Sequence, residues 1–209
     1  MVIVHHLNNS RSQRILWLLE EMGTPYEVKR YERDRATMLA PPELRAVHPL
    51  GKSPVIDDDG TVVAESGAIV EYLAGTYGHG QLTPPPGTAA ALRVSYWMHF
   101  AEGSAMTPLL LKLYLSRMGD AAEPLLARVD GQIAALLAYV EGEVGTGPFL
   151  VGDNLTIADI QMSFPLEAAT ARGGLDAKYP GLVAYLERLH ARPAYREALA
   201  RGGPYELLR

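Results

Sequence analysis

The feature that most constrains the fold of this chain is a pair of short segments, residues 51–55 and 64–69. Their sequences are Gly-Lys-Ser-Pro-Val and Ala-Glu-Ser-Gly-Ala-Ile. Pro54 opens a predicted strand, where a missing backbone N–H is tolerated at the edge of a sheet. If the Ser53–Pro54 bond is cis, the chain turns sharply there. The backbone N–H and C=O of Ser53 can then pair with another peptide, as an added strand does.

The second segment predicts a site for charged groups. Ser66 begins an amphipathic helix, and the unpaired N–H groups of a helix N-terminus attract a carboxylate. Glu65, directly before that helix, could hold an amino group. The two segments together predict a pocket for a small peptide that carries a free amino-acid headgroup.

The first 78 residues alternate between strand-like and helix-like segments. Apolar spacing predicts a helix over residues 10–22, ended by Gly23 and Pro25. An Asp-Gly pair at residues 59 and 60 predicts a hairpin. The predicted elements, in chain order, are a strand at 2–7, the helix at 10–22, a strand at 26–31, a short helix at 42–47, strands at 55–56 and 61–64, and a helix from 66. This order, βαβ followed by ββα, resembles a thioredoxin-like domain.

A segment rich in glycine and proline, residues 79–87, breaks this pattern and predicts a stiff linker. Helical periodicity then predicts helices at 88–118, 121–144, 156–171, 179–190 and 193–200, which together complete a bundle. Thr156 and Asp159 have the spacing of a capping box. The predicted organisation is an α/β domain over residues 1–78, the linker, and an all-helical domain over residues 88–209.

The composition excludes several classes of protein. A formal net charge of -5 does not suit a nucleic-acid surface, which is usually basic. The chain has no cysteine, so disulfides, thiolate metal sites and a cysteine nucleophile are excluded. No stretch approaches the roughly 20 apolar residues of a membrane helix, and the start of the chain lacks a signal-peptide pattern. We therefore expect a soluble cytoplasmic protein.

A Ser-Pro before a strand, followed by Glu-Ser at the start of a helix, resembles the glutathione-binding pattern of the glutathione S-transferase superfamily. Residues 4–7, 10–14, 18–21 and 96–103 are most similar to the bacterial and fungal branch that includes the yeast membrane-associated transferase. The resemblance covers essentially the whole chain. It implies a cytoplasmic, homodimeric detoxification enzyme that adds the thiolate of glutathione to electrophilic, largely apolar small molecules. Beyond glutathione as co-substrate, it implies no cofactor.

Such an enzyme must stabilise the glutathione thiolate, and the loop after the first strand offers two candidate donors. Ser10 is the first candidate and Asn9 the second; residues 5–10 lack the tyrosine of the mammalian-type classes. Ser10 and Gln13 also fit a capping box, in which case Ser10 only starts the helix. Asn9 lies where serine-type members of the superfamily place their catalytic serine. Arg14 could add positive charge to the site or be a solvated helix residue.

The resemblance also assigns the rest of the glutathione site. Glu65 and Ser66 would bind the γ-glutamyl end, and the Ser53 backbone before Pro54 would pair with the cysteinyl part. Lys52, with His48 close in sequence, would bind the glycyl carboxylate. Each of these residues has a plain structural alternative, as a solvated lysine, a surface glutamate, a lone histidine or a helix cap.

An aromatic cluster in the long predicted helix offers a second-substrate site. Tyr96, His99 and Phe100 lie within two turns, together with Trp97 and Glu102. Such a cluster also fits a core or a dimer interface. His5 and His6 precede the candidate catalytic loop, but no second cluster with ligand spacing accompanies them, so we expect no metal.

Two other functions stay open at this point. The same thiolate would serve a glutathione-dependent peroxidase, disulfide reductase or isomerase. A non-catalytic glutathione-binding module on the same fold is favoured by the substituted thiolate position and disfavoured by the complete set of binding residues. The sequence does not identify the electrophile, because small apolar changes in an acceptor pocket alter preference by only about 1–3 kcal/mol.

Overall fold

The computed structural model describes residues 1–144 and 147–208, which form two compact units. The first unit contains Met1–Thr83 and His190–Glu206. The second contains the described residues of Pro84–Leu189 together with Leu207 and Leu208. The first unit therefore combines the N-terminal α/β segment with a stretch from near the end of the chain. The domain boundaries drawn from the linker stay a prediction.

A four-stranded mixed sheet is the centre of the first unit. Its strands have the order β2-β1-β3-β4; β1 and β2 are parallel, whereas β3 is antiparallel to both β1 and β4. The elements are β1 (Val2–Leu7), α1 (Ser12–Met22), β2 (Tyr26–Tyr31), α2 (Glu43–Val47), β3 (Val55–Asp58), β4 (Thr61–Ala64) and α3 (Ser66–Tyr77). This is the predicted βαβ and ββα order, so the predicted thioredoxin-like domain is confirmed.

The hairpin between β3 and β4 follows directly from its sequence. Asp59 and Gly60 have φ of 48° and 90°, and a type I′ turn needs positive φ at both central residues. The Gly60 N–H donates to the Asp57 carboxylate at 2.7 Å. The predicted Asp-Gly hairpin is therefore confirmed.

Apolar side chains of the sheet and of α1 and α3 form the core of this unit. Each fully buried aliphatic side chain contributes roughly 1.5–3 kcal/mol of hydrophobic stabilisation. The core includes Val4, Ile15, Leu19, Ile56, Ile69 and Leu73. Because β1 and α1 both pack into this core, the loop over residues 8–11 that joins them is held in place.

The described part of the second unit is almost entirely helical, which confirms the predicted all-helical half. Its α-helices are α4 (Ala89–Phe100), α5 (Met106–Leu115), α6 (Glu123–Val144), α7 (Ile157–Arg172) and α8 (Pro180–His190); the final residue of α8, His190, belongs to the first unit. No helix in residues 1–144 or 147–208 is long and apolar enough to cross a membrane.

The single helix predicted over residues 88–118 is wrong in one respect. Between α4 and α5 the chain forms a π-helix, Ala101–Ala105, in which the Met106 N–H donates to the Ala101 carbonyl. Gly103 is a weak helix former, and the Thr107 hydroxyl donates to the Gly103 carbonyl at 3.0 Å. The π-helix lies within one continuous helical run, so apolar periodicity alone does not reveal it.

The predicted capping box at the start of α7 is confirmed. Asp159 is fully buried and accepts hydrogen bonds from the N–H and the hydroxyl of Thr156, at 2.8 and 3.0 Å. It also accepts from the Leu150 N–H at 2.9 Å and the Tyr185 hydroxyl at 2.7 Å. The carboxylate therefore joins α7 to α8 and to the preceding loop, and does more than cap one helix.

The last α-helix that the structure describes, α9 (Pro193–Gly202), packs along α1 within the first unit. Tyr195 meets the Trp17 ring edge-on, with centroids 5.2 Å apart. Two ion pairs join the helices, from Arg192 Nη2 to Glu21 Oε2 at 2.8 Å and from Arg201 Nη1 to Glu20 Oε1 at 3.0 Å. The sequence pattern groups this helix with the bundle, because periodicity shows which face of a helix is apolar and not which element covers it.

We expect the Asp159→Ala substitution to lower the free energy of unfolding by about 3–5 kcal/mol, because it leaves several buried donors without an acceptor. A simple lost cap would cost about 1 kcal/mol. Chemical denaturation measures the loss. Tyr185→Phe is the matched control: it removes one donor and should cost only about 1 kcal/mol. Equal losses in the two variants would show that the carboxylate does not join these elements.

Candidate active site

The Ser53–Pro54 peptide bond is cis, and β3 begins at the next residue. The Ser53 hydroxyl donates to the His5 carbonyl at 2.8 Å and accepts from the Leu7 N–H at 3.2 Å. This side chain therefore continues the pairing of β3 with β1. The backbone N–H and C=O of Ser53 form no backbone hydrogen bond to another residue in the described part of the chain. Groups of this kind can pair with the backbone of an added peptide strand.

A strained turn lies at the start of α3. Glu65 precedes the helix with φ 69° and ψ 118°, a conformation that costs a residue with a β-carbon roughly 1–3 kcal/mol. Its side chain is exposed, whereas Ser66, the first helical residue, is buried. Backbone strain of this kind is common at ligand sites, where the surrounding structure holds it. The exposed carboxylate and the N–H groups of α3 therefore lie side by side.

Arg14 connects α1 to this turn. Its side chain is only 1% exposed, and its Nη2 donates to the Ser66 hydroxyl at 3.0 Å. The interpretation of Arg14 as a solvated helix residue is therefore wrong. A buried guanidinium remains charged, and it adds to the positive field of the α3 N-terminus. The pair favours an anion at this point.

Basic side chains lie around the third candidate subsite. Lys52 is exposed, and His48, at the end of α2, accepts from the Leu50 N–H through Nδ1 at 3.4 Å. The side chain of Arg45 lies directly over Gly51, where a β-carbon would come within 2.7 Å of Arg45 Cγ. Arg45 was not predicted as a site residue, because no sequence motif marks its position in the short helix α2.

Ser10 is turned into the protein. The helix α1 begins at Ser12 with no side-chain cap from Arg11, so the predicted start at Ser10 is wrong. Ser10 instead accepts from the Ser12 N–H at 3.2 Å, and its Oγ lies 2.7 Å from the Ser12 Oγ. Serine often makes such local bonds in place of helix geometry. Only 4% of Ser10 is exposed.

A buried histidine completes a chain of hydrogen bonds behind Ser10. His6 Nδ1 lies 2.9 Å from the Ser12 Oγ, and its ring also donates to the backbone of Gly202. Burial, and to a lesser extent Arg30, lowers the pKa of His6 to about 4. The ring is therefore neutral at pH 7 and accepts at Nδ1. The Ser12 hydroxyl, which also lies 3.3 Å from the Leu7 carbonyl, donates to His6 as the closer acceptor, and Ser10 donates to Ser12. Neither His6 nor Ser12 was assigned this role from sequence.

Asn9 has a different environment. Its backbone φ is 50°, in the left-handed region that asparagine tolerates, and its side chain is half-buried. Asn9 Nδ2 donates to Glu206 Oε2 at 3.1 Å, and its Oδ1 accepts from the Glu206 N–H at 2.8 Å. One N–H of the amide is not used in these two bonds.

The structure brings the three second-substrate candidates together on the second unit. Tyr96, His99 and Phe100 line one groove of about 500 Å³ with Leu92, Ser95 and Ser104. Tyr96 is 40% exposed, stacks on Phe100 with centroids 5.6 Å apart, and has its hydroxyl 2.8 Å from that of Tyr139. Burial and the bond to Tyr139 raise the pKa of Tyr96 to about 12, so its phenol stays protonated. Trp97, in contrast, is fully buried and belongs to the core.

Metal-ligating side chains are not grouped at this site. Within residues 1–144 and 147–208, no cluster of three or more His, Asp or Glu side chains is placed to hold a metal ion. His5 instead bonds the Tyr31 hydroxyl through Nδ1 at 2.8 Å.

The fold and this constellation define a family, and comparison with known proteins agrees. The family described as "Glutathione S-transferase, N-terminal domain" matches residues 1–75, and "Glutathione S-transferase, C-terminal domain" matches residues 92–193. The chain belongs to the glutathione S-transferase family. The resemblance inferred from the sequence motifs is therefore confirmed.

Curated relatives and solved structures extend the match over nearly the whole chain. The chain is 34% identical to glutathione S-transferase 3 of Schizosaccharomyces pombe and 33% identical to glutathione S-transferase 1 of Saccharomyces cerevisiae, over 95% and 93% of its length and 86% and 92% of theirs. A crystal structure of a glutathione S-transferase from Actinobacillus pleuropneumoniae has a TM-score of 0.91 and 36% identity, covering 100% of this chain and 96% of that one. A sphingomonad glutathione S-transferase complexed with glutathione has a TM-score of 0.80 and 25% identity, covering 96% and 98%.

We expect the low pKa of His6 to make the protein less stable in mild acid. In the unfolded chain His6 binds a proton near pH 6.5, whereas in the folded chain it does so only near pH 4. The free energy of unfolding should therefore fall by about 3 kcal/mol between pH 7 and pH 4. The His6→Asn variant cannot titrate there, and its stability should fall less by that amount. Denaturant unfolding of both proteins at pH 7 and pH 4 measures the difference. Other groups titrate in both proteins, so only the difference between the two pH dependences reports on His6. Equal pH dependences would contradict the low pKa of buried His6.

Proposed function

We propose that this protein is a glutathione transferase that binds glutathione on its first unit and transfers the thiolate to an electrophilic carbon. The observation that carries the proposal is the pairing of two features: the open backbone of Ser53 beside a cis proline, and the strained Glu65–Ser66 turn backed by the buried Arg14. The solved relative that holds glutathione supports this ligand for the chain.

Each end of glutathione has a matching group in this proposal. The Glu65 carboxylate binds the γ-glutamyl ammonium, and Ser66 with the N–H groups of α3 binds the neighbouring carboxylate. The Ser53 backbone pairs with the cysteinyl residue as an added strand does. Lys52, with His48 and Arg45 nearby, binds the glycyl carboxylate. The tripeptide is thereby oriented before any chemistry, and positioning of this kind supplies much of the rate enhancement.

The environments of Ser10 and Asn9 favour Asn9 as the donor to the thiolate. The Ser10 proton is directed to Ser12, and donation to sulfur would break that chain. Asn9 keeps an N–H for the sulfur on a half-buried side chain. A shift of the thiol pKa down from about 8.5 by about two units needs roughly 2.7 kcal/mol. A hydrogen bond from Asn9 and the positive field of the α1 N-terminus can together supply this.

The reaction itself needs only the thiolate and the electrophile. The proton of the thiol leaves to solvent, the sulfur lone pair forms a bond to carbon, and a leaving group departs with the electrons of its own bond. We propose that the groove at Tyr96, His99 and Phe100 contacts the electrophile, whose apolar part would stack on the two aromatic rings. Membership of the family supports a cytoplasmic homodimer that acts in detoxification.

Titration of bound glutathione tests the proposal. We expect the ultraviolet absorption of the thiolate to appear near neutral pH with the wild-type protein, and its midpoint to rise by about one unit or more in Asn9→Ala. Ser10→Ala is the matched control and should move the midpoint less. If glutathione binds with an unshifted thiol, the protein is a binding module and not a transferase. If it does not bind, both functions are wrong.

Steady-state kinetics tests the acceptor groove. We expect Phe100→Ala to raise the KM for an aromatic electrophile by about tenfold, the loss of one good apolar contact, and to leave the KM for glutathione unchanged. Tyr114→Ala is a suitable control, since it removes an exposed ring of the same unit that does not line the groove. The assignment would fail if both variants changed the electrophile KM equally.

A further inference from the structure

We propose that Glu206 is a positioning residue for thiolate formation: it holds the Asn9 amide so that the free N–H of that amide faces the glutathione sulfur. The inference deepens the proposed function and rests on it. The contact was not visible in the sequence, because Glu206 follows Asn9 by nearly the whole length of the chain. Both residues, and therefore the contact between them, belong to the first unit.

Glu206 binds both ends of the Asn9 side chain. Its backbone N–H donates to Asn9 Oδ1 at 2.8 Å, while its carboxylate accepts from Asn9 Nδ2 at 3.1 Å. Rotating the amide by 180° would place Oδ1 against a carboxylate and Nδ2 against an N–H, so the pair admits only one orientation. The second Nδ2–H therefore has a fixed direction before glutathione binds. Fixing a donor in advance avoids the entropy lost when a mobile side chain is ordered on binding.

The charge of Glu206 adds to this effect. A hydrogen bond from an amide to an ionised carboxylate is stronger than one to a neutral acceptor, so the carboxylate competes well with water for Asn9. The backbone of Asn9 is itself held in the left-handed region at φ 50°. Orientation of the side chain and of the backbone thus have separate sources, and only the first depends on Glu206.

The end of α9 brings Glu206 to the loop. Gly202 is buried against α1, where a β-carbon would lie 2.7 Å from Gln13 Oε1 and 3.0 Å from Leu16 Cδ1. Gly203 then turns the chain at φ 86°, a conformation that favours glycine. The guanidinium of Arg30 donates to the Arg201 carbonyl at 3.0 Å. These contacts direct the residues after the helix towards Asn9.

Two opposite effects of Glu206 on the thiolate can be separated by choice of substitution. Its negative charge alone disfavours a nearby thiolate, so removing only the charge should lower the thiol pKa or leave it unchanged. Loss of the Asn9 acceptor should raise the thiol pKa. Glu206→Gln removes the charge and keeps an acceptor oxygen, whereas Glu206→Ala removes both. A positioning role therefore predicts that Glu206→Ala raises the thiol pKa, whereas Glu206→Gln does not.

The experiment is the same ultraviolet titration of bound glutathione, on the full chain. We expect Glu206→Ala to raise the thiol pKa by about one unit, which lowers kcat/KM about tenfold below the wild-type thiol pKa. Glu206→Gln should titrate at or below the wild-type pKa. Glu197→Ala, which removes an exposed carboxylate from α9, should titrate like the wild type.

A double substitution makes the test specific to Asn9. If Glu206 acts through the Asn9 amide, Glu206→Ala should not raise the thiol pKa in an Asn9→Ala background, where only the loss of the carboxylate charge remains and the thiol pKa should fall or stay unchanged. The inference is overturned, and the proposed function stands, if Glu206→Ala leaves the pKa unchanged, lowers it, or raises it equally in both backgrounds. If the wild-type protein does not lower the thiol pKa at all, the proposed function fails and this inference fails with it.

Discussion

The structure of the candidate site depends on the burial of a polar first turn. Ser12, Gln13 and Arg14 open α1, and all three are almost completely withdrawn from water. Buried polar groups are destabilising unless they find partners. Ser12 forms a hydrogen bond with His6, and Arg14 forms one with Ser66 at the start of α3. The need to satisfy these side chains therefore ties the loop after β1 to the α3 turn, where the two ends of a peptide ligand would be recognised.

The C-terminal part of the chain completes this arrangement within the first unit. The helix α9 covers α1, and the residues after it contact Asn9. The ion pairs from Arg192 and Arg201 to α1 are partly exposed, and exposed pairs of this kind stabilise little on their own. The apolar contact of Trp17 with Tyr195 is buried and contributes more of the stability. Residues near the end of the chain thus contact the loop after β1, which lies far away in sequence.

How much could be predicted from the sequence depended on how local the physical cause was. The Asp59–Gly60 hairpin, the strand after Pro54 and the capping box at Thr156 each follow from a few neighbouring residues, and the structure has all three. The inward rotation of Ser10 depends on a buried imidazole, and the contact of Glu206 with Asn9 depends on the path of the chain after α9. Neither leaves a periodic or compositional trace, so no inspection of the loop alone could have found them.

The positive φ of Glu65 sets the stability of the turn against the binding role that we propose for its carboxylate. Glycine adopts φ 69° without the penalty that a β-carbon brings. The least strained residue at this position is therefore glycine, which carries no carboxylate. Selection for stability alone would favour glycine there, whereas the proposed contact of the Glu65 carboxylate with the ligand would favour glutamate in spite of the strain. Given the proposed role of Glu65, replacing it with glycine would relieve the turn at the expense of a substrate contact, so added stability would have to come from another part of the fold.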